Sequence, residues 1–352
     1  MLQAASYEGN EAITKLLLEN GAEVNAKGGK YGNALQAACA TYAGNEAIVK
    51  LLLENGAEVN AERGEYGNAL QAASYRGNEA IMKLLLENGA DVNAKGGKYE
   101  NALQAACATY AVNEAIAIVK LLLDNGADVN EKGGKYGNAL QAASYGGNEA
   151  IVKLLLENGA EVNTKGGKYG NALQAALASY RGNEAIVKLL LENGAEVNAE
   201  GGEYGNALQA ASYGGNVAIM KLLLENGAEV NAEGGEYGNA LQAASYGGNE
   251  AITKLLLENG AEVNAKGGKY GNALQAACTI YAGNEVIVKL LLENGAEVNA
   301  EGGQYGNAFQ AATFVGNEAV VKLLLENLNG AEVDAEAVEY GNALQTASYE
   351  GD

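Results

Sequence analysis

The sequence predicts an all-α fold, a solenoid of stacked helix-turn-helix units joined by β-turn or hairpin loops. Three observations predict it. A word of the form YGNALQ (once YENALQ, once YGNAFQ) begins at Tyr31, Tyr66, Tyr99, Tyr136, Tyr169, Tyr204, Tyr237, Tyr270, Tyr305 and Tyr340, at spacings of 33, 35 or 37 residues. A fixed period in the tens of residues is the signature of an array rather than of independent compact domains. Each period also carries a strongly apolar stretch that a unit of this size cannot bury alone, so neighbouring copies must cover it. Finally, 48% of the 352 residues are hydrophobic, ample for a packed core. The domain organisation that follows is one array over 1–352. It comprises a partial unit 1–30, units starting at 31, 66, 99, 136, 169, 204, 237, 270 and 305, and a partial unit 340–352.

The elements follow in order within each copy. A first helix opens at Asn-Ala-Leu-Gln, as in Asn33 to Gln36. Asn is a strong N-cap, and Gln three residues on completes a capping box. Its body is short and alanine-rich (Ala34, Ala37, Ala38), so its backbone can approach neighbours closely. Gly44-Asn45-Glu46 breaks the chain and starts a second helix, with Asn45 as cap and Glu46 near the positive helix end. In that helix Ile48, Val49, Leu51, Leu52 and Leu53 require cover on several sides, while Glu46, Lys50 and Glu54 form one solvated stripe. Gly56 is a natural helix terminator, the following AEVNA alternates like a short extended segment, and a Gly-rich turn returns to the next Tyr. Most long copies replace AASYGGNEA by AACATYAGNEA, two residues longer at the end of the first helix; the copy at Tyr99 adds two more in NEAIAIVK, and the copy at Tyr305 instead lengthens its tail, LLLENLNGAEVD.

The unit built this way resembles the ankyrin repeat, on its period of 33, its two helices and turn, and a GNEAIVKLLLENGAEVN tail close to the family consensus. The resemblance covers Leu2 to Gly351. Its head departs from the family's T-P-L-H-x-A, reading N-A-L-Q-A-A at Asn138 to Ala143. Asn stands for Thr as cap, Ala for Pro at the first helical position, and Gln for His as polar partner of the loop. This GNALQAA form is similar to arrays of filamentous fungi that form the recognition end of NACHT-type receptor-like proteins. The resemblance implies a protein–protein recognition scaffold that binds through its concave face and loop tips. Neither end carries a polar capping repeat, which leads us to expect a piece of a larger protein, or end-to-end self-association through the terminal units.

Composition excludes much chemistry. With no His, neither a Ser-His-Asp triad nor a Cys-His pair can be built. No C-x-x-C and no P-loop pattern occurs. The segment Asp124 to Asn130 has calcium-like letters with its glycine misplaced. Paired carboxylates such as Glu157 and Glu161 recur in nearly every unit, as a solvated face does and a catalytic pair does not. The expectation is a non-enzymatic chain with no cofactor and no metal. A net charge of −21 argues against nucleic acid and anionic membranes as partners, and no apolar run reaches the ~18 residues that span a bilayer. Cys39, Cys107 and Cys278 occupy one place in three copies and read as free thiols of an intracellular, cytoplasmic protein, the nucleus remaining open.

Comparing the copies with one another isolates the candidate binding residues. The scaffold letters hardly change, whereas the loop tips change charge in pairs. Lysine tips are Lys27/Lys30, Lys95/Lys98, Lys132/Lys135, Lys165/Lys168 and Lys266/Lys269; acidic tips include Glu62/Glu65, Glu200/Glu203 and Glu233/Glu236. Three consecutive lysine tips, Lys95, Lys98, Lys132, Lys135, Lys165 and Lys168, form a basic strip that could register a protein partner. Tyr recurs twice per unit; Tyr136 and Tyr169 are candidate contacts, although strict recurrence equally suits a structural ladder. Arg76 and Arg181 stand at a position that varies between copies and complete the set. The alternative function is a structural spacer with no ligand of its own, which near-identity of the copies would suit.

Overall fold

Asparagine starts the first helix of each full copy described below where the sequence places it. The computed structural model describes residues 1–41, 45–109, 112–178, 183–280, 284–327, 336–337 and 341–342. Asn33, Asn68, Asn101 and Asn138 sit in extended backbone, and each side chain accepts the backbone N–H of the Gln three residues on at 2.8 Å. The reciprocal half of the capping box forms at Gln71, Gln209 and Gln242.

The chain divides into two compact units, 1–176 and 177–352. In the first, helix pairs follow one another: α1 (Leu2–Tyr7) and α2 (Glu11–Glu19), α3 (Ala34–Cys39) and α4 (Glu46–Glu54), α5 (Ala69–Arg76) and α6 (Glu79–Glu87), α7 (Ala102–Cys107) and α8 (Val112–Asp124), α9 (Ala139–Gly146) and α10 (Glu149–Glu157). Helix α11 (Ala172–Ala178) spans the division. The second holds α12 (Glu184–Glu192), α13 (Ala207–Gly214), α14 (Val217–Glu225), α15 (Ala240–Tyr246), α16 (Glu250–Glu258), α17 (Ala273–Cys278), α18 (Glu285–Glu293), α19 (Ala308–Phe314) and α20 (Glu318–Glu326). A two-residue antiparallel pair, β1 (Glu336–Ala337) with β2 (Gly341–Asn342), follows.

Within each unit, stacking is by layers. In the first, α1 packs on α3, α3 on α5, α5 on α7 and α7 on α9, while α2, α4, α6, α8 and α10 pack in a parallel row. In the second, α13, α15, α17 and α19 make one row, and α12, α14, α16, α18 and α20 the other. The small side chains of Ala37, Ala38, Ala72 and Ala73, none more than 1% exposed, permit the close approach of the first row. The second row supplies the bulk: Ile48, Val49 and Leu52 are buried, as are Ile81, Met82 and Leu85. Fully burying one such side chain stabilises by roughly 1.5–3 kcal/mol. Burial deepens from the first described pair to the second: Ile13 is 47% exposed where its counterpart Ile48 is 1% exposed.

Three local expectations are corrected. The AEVNA stretch is a turn rather than an extended segment, closed by Ala61 N–H donating to the Glu58 carbonyl at 3.2 Å. The long copies do not lengthen their first helix: α3, α7 and α17 have six residues, against eight in α5. Their extra residues follow the helix and run into segments 42–44, 110–111, 179–182 and 281–283, outside the described residues. The extra pair in NEAIAIVK, by contrast, extends the second helix, and α8 has 13 residues where α6 has nine. Finally, Asn45 stands at the N-cap of α4 without capping it; its amide instead donates to the Ser6 carbonyl of the preceding copy at 3.2 Å.

Candidate functional site

The loop between copies is a tight hairpin whose tip is the candidate binding surface. Bridges join Gly28 to Gly32, Gly96 to Glu100, Gly133 to Gly137 and Gly166 to Gly170. Gly137 shows why the residue after Tyr is glycine: its φ is +104°, and a Cβ there would lie 1.9 Å from Oε1 of Gln141. That glutamine anchors the hairpin that joins its own copy to the next, donating from Nε2 to the carbonyls of Thr164, Gly166 and Gly170 at 3.1, 3.2 and 2.9 Å. Gln71 does the same for Ala94 and Glu100, both at 3.0 Å. The glutamine therefore serves the loop as its position in the NALQAA head suggested, and the loop it serves closes its own copy and leads into the next.

Two further ladders hold the copies in register. The second Tyr of one copy stacks on the first Tyr of the next: Tyr7 on Tyr31 at 4.7 Å, Tyr75 on Tyr99 at 4.8 Å, Tyr145 on Tyr169 at 4.6 Å and Tyr246 on Tyr270 at 4.6 Å. In the second unit, where two 33-residue copies are consecutive, rings follow one another from Tyr204 through Tyr213, Tyr237 and Tyr246 to Tyr270. Burial and these contacts raise the phenol pKa values of Tyr99, Tyr237 and Tyr270, and the hydrogen bond with Tyr7 leads in raising that of Tyr31 to about 12. The other ladder was missed at the sequence level. Asn60 donates to the Gly89 carbonyl at 2.9 Å and accepts the Asp91 N–H at 2.8 Å; Asn25, Asn93 and Asn130 do the same for their own following copies. The signal was an uncharged Asn recurring in step with the apolar positions of the EVN triplet.

Against this frame the candidate residues take definite places. Lys95, Lys98, Lys132, Lys135, Lys165 and Lys168 are all exposed on the tips of the first unit. Three of them lie over their own following tyrosine, Lys98 at 5.2 Å from the ring centroid of Tyr99, Lys135 at 5.3 Å from Tyr136 and Lys168 at 5.5 Å from Tyr169. Tyr136 and Tyr169 are themselves only 9% and 5% exposed, so their rings form a floor beneath the ammonium groups. Lys95 pairs with Glu131 at 2.7 Å, and that hydrogen bond raises its pKa. Arg76 is half-buried; its guanidinium donates to the Tyr66 hydroxyl at 3.0 Å and lies 5.5 Å from the Tyr75 ring. Arg181 lies outside the described residues.

Consecutive tips are joined through the backbone, Lys168 N–H donating to the Lys135 carbonyl and Lys98 N–H to the Glu65 carbonyl, both at 3.0 Å. Where neighbouring tips differ in sign they pair, as Lys30 with Glu65 at 3.3 Å and Lys269 with Glu236 at 3.4 Å. In the second unit Glu200, Glu203, Glu233 and Glu236 are exposed on the equivalent positions.

The other candidates for chemistry are accounted for structurally. Cys39, Cys107 and Cys278 are free and fully buried, and burial pushes their thiol pKa values up, away from the reactive thiolate. Asp128 accepts the N–H of Asn130 at 2.9 Å in a local turn. Among the described residues no group of three His, Cys, Asp or Glu side chains is arranged to hold a metal ion, and no helix is long and apolar enough to cross a membrane.

Comparison with known proteins agrees with this architecture. No curated protein matches the chain significantly. Among solved structures, the crystal structure of the human ASB11 ankyrin repeat domain is similar at 27% identity and a TM-score of 0.54, over 65% of this chain and 99% of that one. The family described as ankyrin repeats (3 copies) matches residues 1–96, 70–166, 103–201, 173–267 and 243–337. Ankyrin repeats are generally non-enzymatic protein–protein interaction scaffolds. Tandem copies of a 33-residue unit, stacked in two helical rows with hairpin tips between them, are what such a match requires, and the chain belongs to the ankyrin repeat family.

Proposed function

We propose that this chain is a recognition scaffold that holds a protein partner on its hairpin tips and performs no chemistry of its own. One observation carries the reading. Beneath the tips, the Gln, Asn and Tyr side chains are committed to joining copies, whereas the tip side chains are exposed and differ in charge along the array. Charge patterns of this kind steer encounter and register more than they add raw affinity. The three buried thiols support an intracellular setting. The NALQAA head supports placing the array as the sensing region of a larger fungal receptor-like protein.

The test is affinity capture from a fungal lysate at low and moderate salt. The native array is compared with a variant carrying Glu at Lys95, Lys98, Lys132, Lys135, Lys165 and Lys168, after circular dichroism shows both folded. A partner retained by the native array, weakened by salt and lost from the variant is the expected result. Equal capture by both removes the lysine tips from the reading, and specific capture by neither leaves the spacer as the better account.

A further inference from the structure

We propose that the lysine tips of the first unit form a docking track for an extended, acidic protein segment. This rests on the reading of the tips as the binding surface and names the chemistry of what binds there. Where neighbouring tips alternate, the chain neutralises itself, as in the Lys30–Glu65 and Lys269–Glu236 pairs. From Lys98 through Lys135 to Lys168 the sign is repeated three times, and the backbone bond from Lys168 to Lys135 holds two of these positions adjacent. Like charges on directly bonded positions repel, and a row of carboxylates brought by a partner would offset that repulsion beyond what Glu131 does at Lys95.

The row is also ordered. Each of the three ammonium groups lies 5.2–5.5 Å from a ring centroid, and those rings are buried and, at Tyr99 and Tyr169, stacked on a tyrosine of the preceding copy. A lysine placed in this way has less rotamer freedom to lose when an anion arrives than one waving from a helix surface. The partner's shape follows from the spacing. Packed copies repeat at about 10 Å, so three tips span about 20 Å, the reach of about six residues of extended chain. Carboxylates at every second or third residue meet that spacing. A nucleic acid fits less well: residues 1–176 carry 20 acidic against 15 basic side chains, and a dense polyanion would be repelled on either side of the track.

The probe is a fluorescein-labelled peptide of eight residues with glutamate at every second position, followed by anisotropy with the full chain in 50 mM salt. Saturable binding is expected, weakened about tenfold or more in a Lys98→Gln, Lys135→Gln, Lys168→Gln variant and retained in the corresponding triple Arg variant. A Lys27→Gln, Lys266→Gln control, which alters lysine tips elsewhere, should bind within about twofold of the native chain. Amide exchange of the tip segments, compared between native chain and Gln variant, separates loss of charge from loss of fold. Equal binding by the Gln variant overturns the proposal, as does equal affinity for an eight-nucleotide oligothymidylate. Absence of peptide binding overturns it too; the broader reading of the tips would then still be judged by the lysate capture, whose readout does not use this peptide.

Discussion

At Glu100 the repeat breaks its own rule. It is the only non-glycine residue of positive φ among those described, at +70°, in a position where every neighbouring copy has glycine. The left-handed conformation costs a residue with a Cβ roughly 1–2 kcal/mol, part of which glycine gives back through its larger unfolded-state entropy. The disturbance reaches Gln104, whose Nε2 makes one hydrogen bond, to the Glu131 carbonyl at 3.2 Å, where that of Gln141 makes three. Glu100→Gly is expected to stabilise the chain by about 0.5–1 kcal/mol, seen as a higher urea midpoint at unchanged slope; a lower midpoint would refute the strain argument. Gln71 gives the opposite case. It is fully buried and bonds Ala94, Glu100 and the Asn68 N–H. Gln71→Leu keeps the volume, strands the Ala94 carbonyl and the Asn68 amide, and leaves the Glu100 carbonyl with the Gly96 N–H alone, so a loss of about 1–3 kcal/mol should appear in the same urea titration.

At the scale of elements, the tyrosine ladder should make the fold sensitive to alkali. Burial, joined at Tyr99 and Tyr270 by a hydrogen bond with the stacked tyrosine, raises the folded pKa values of Tyr99, Tyr237 and Tyr270 above the ordinary value of 10.0, and that of Tyr31 reaches about 12. A raised folded pKa means that the unfolded chain gives up its protons first, so stability from these rings is complete below about pH 10 and falls as pH rises above it. Tyrosinate absorbance near 295 nm should therefore appear together with loss of helical circular dichroism; free ionisation of all 20 tyrosines before any helix is lost would contradict the ladder. Helices and caps were legible beforehand because apolar spacing and the Asn-to-Gln interval are local signals. The AEVNA turn was not, since alternation of apolar and polar letters suggests a strand, while Asn60 is satisfied in the next copy, at Gly89 and Asp91. For the same reason the lysine tips were legible as exposed and charged, but their placement over tyrosine rings was not: Lys135 and Tyr136 are sequence neighbours whose stacking depends on Tyr145 and Tyr169 beyond them.

Over the whole molecule, charge is distributed far from evenly. Residues 1–176 hold 15 basic and 20 acidic side chains, whereas residues 177–352 hold 8 and 24. In a repeat array stability is close to a sum of nearest-neighbour terms, so each stretch should respond to its own charge rather than to the total. Self-repulsion disfavours the compact state, and raising salt shortens the screening length from about 10 Å at 0.1 M to about 3 Å at 1 M. Salt also weakens the i,i+4 pairs, but Glu79–Lys83 in the first unit has its counterpart in Glu184–Lys188 in the second, and such exposed pairs contribute only about 0.3–0.5 kcal/mol each. The difference between the units is therefore left to net charge. Native-state hydrogen exchange at 20 mM and 500 mM sodium chloride should show protection rising more for the buried helices between 207 and 293 than for those between 34 and 157. An equal rise in both would mean that the surface charges are too widely spaced for their imbalance to matter. A larger rise in the first unit would point instead to repulsion within its lysine row, the same repulsion that an acidic partner would relieve.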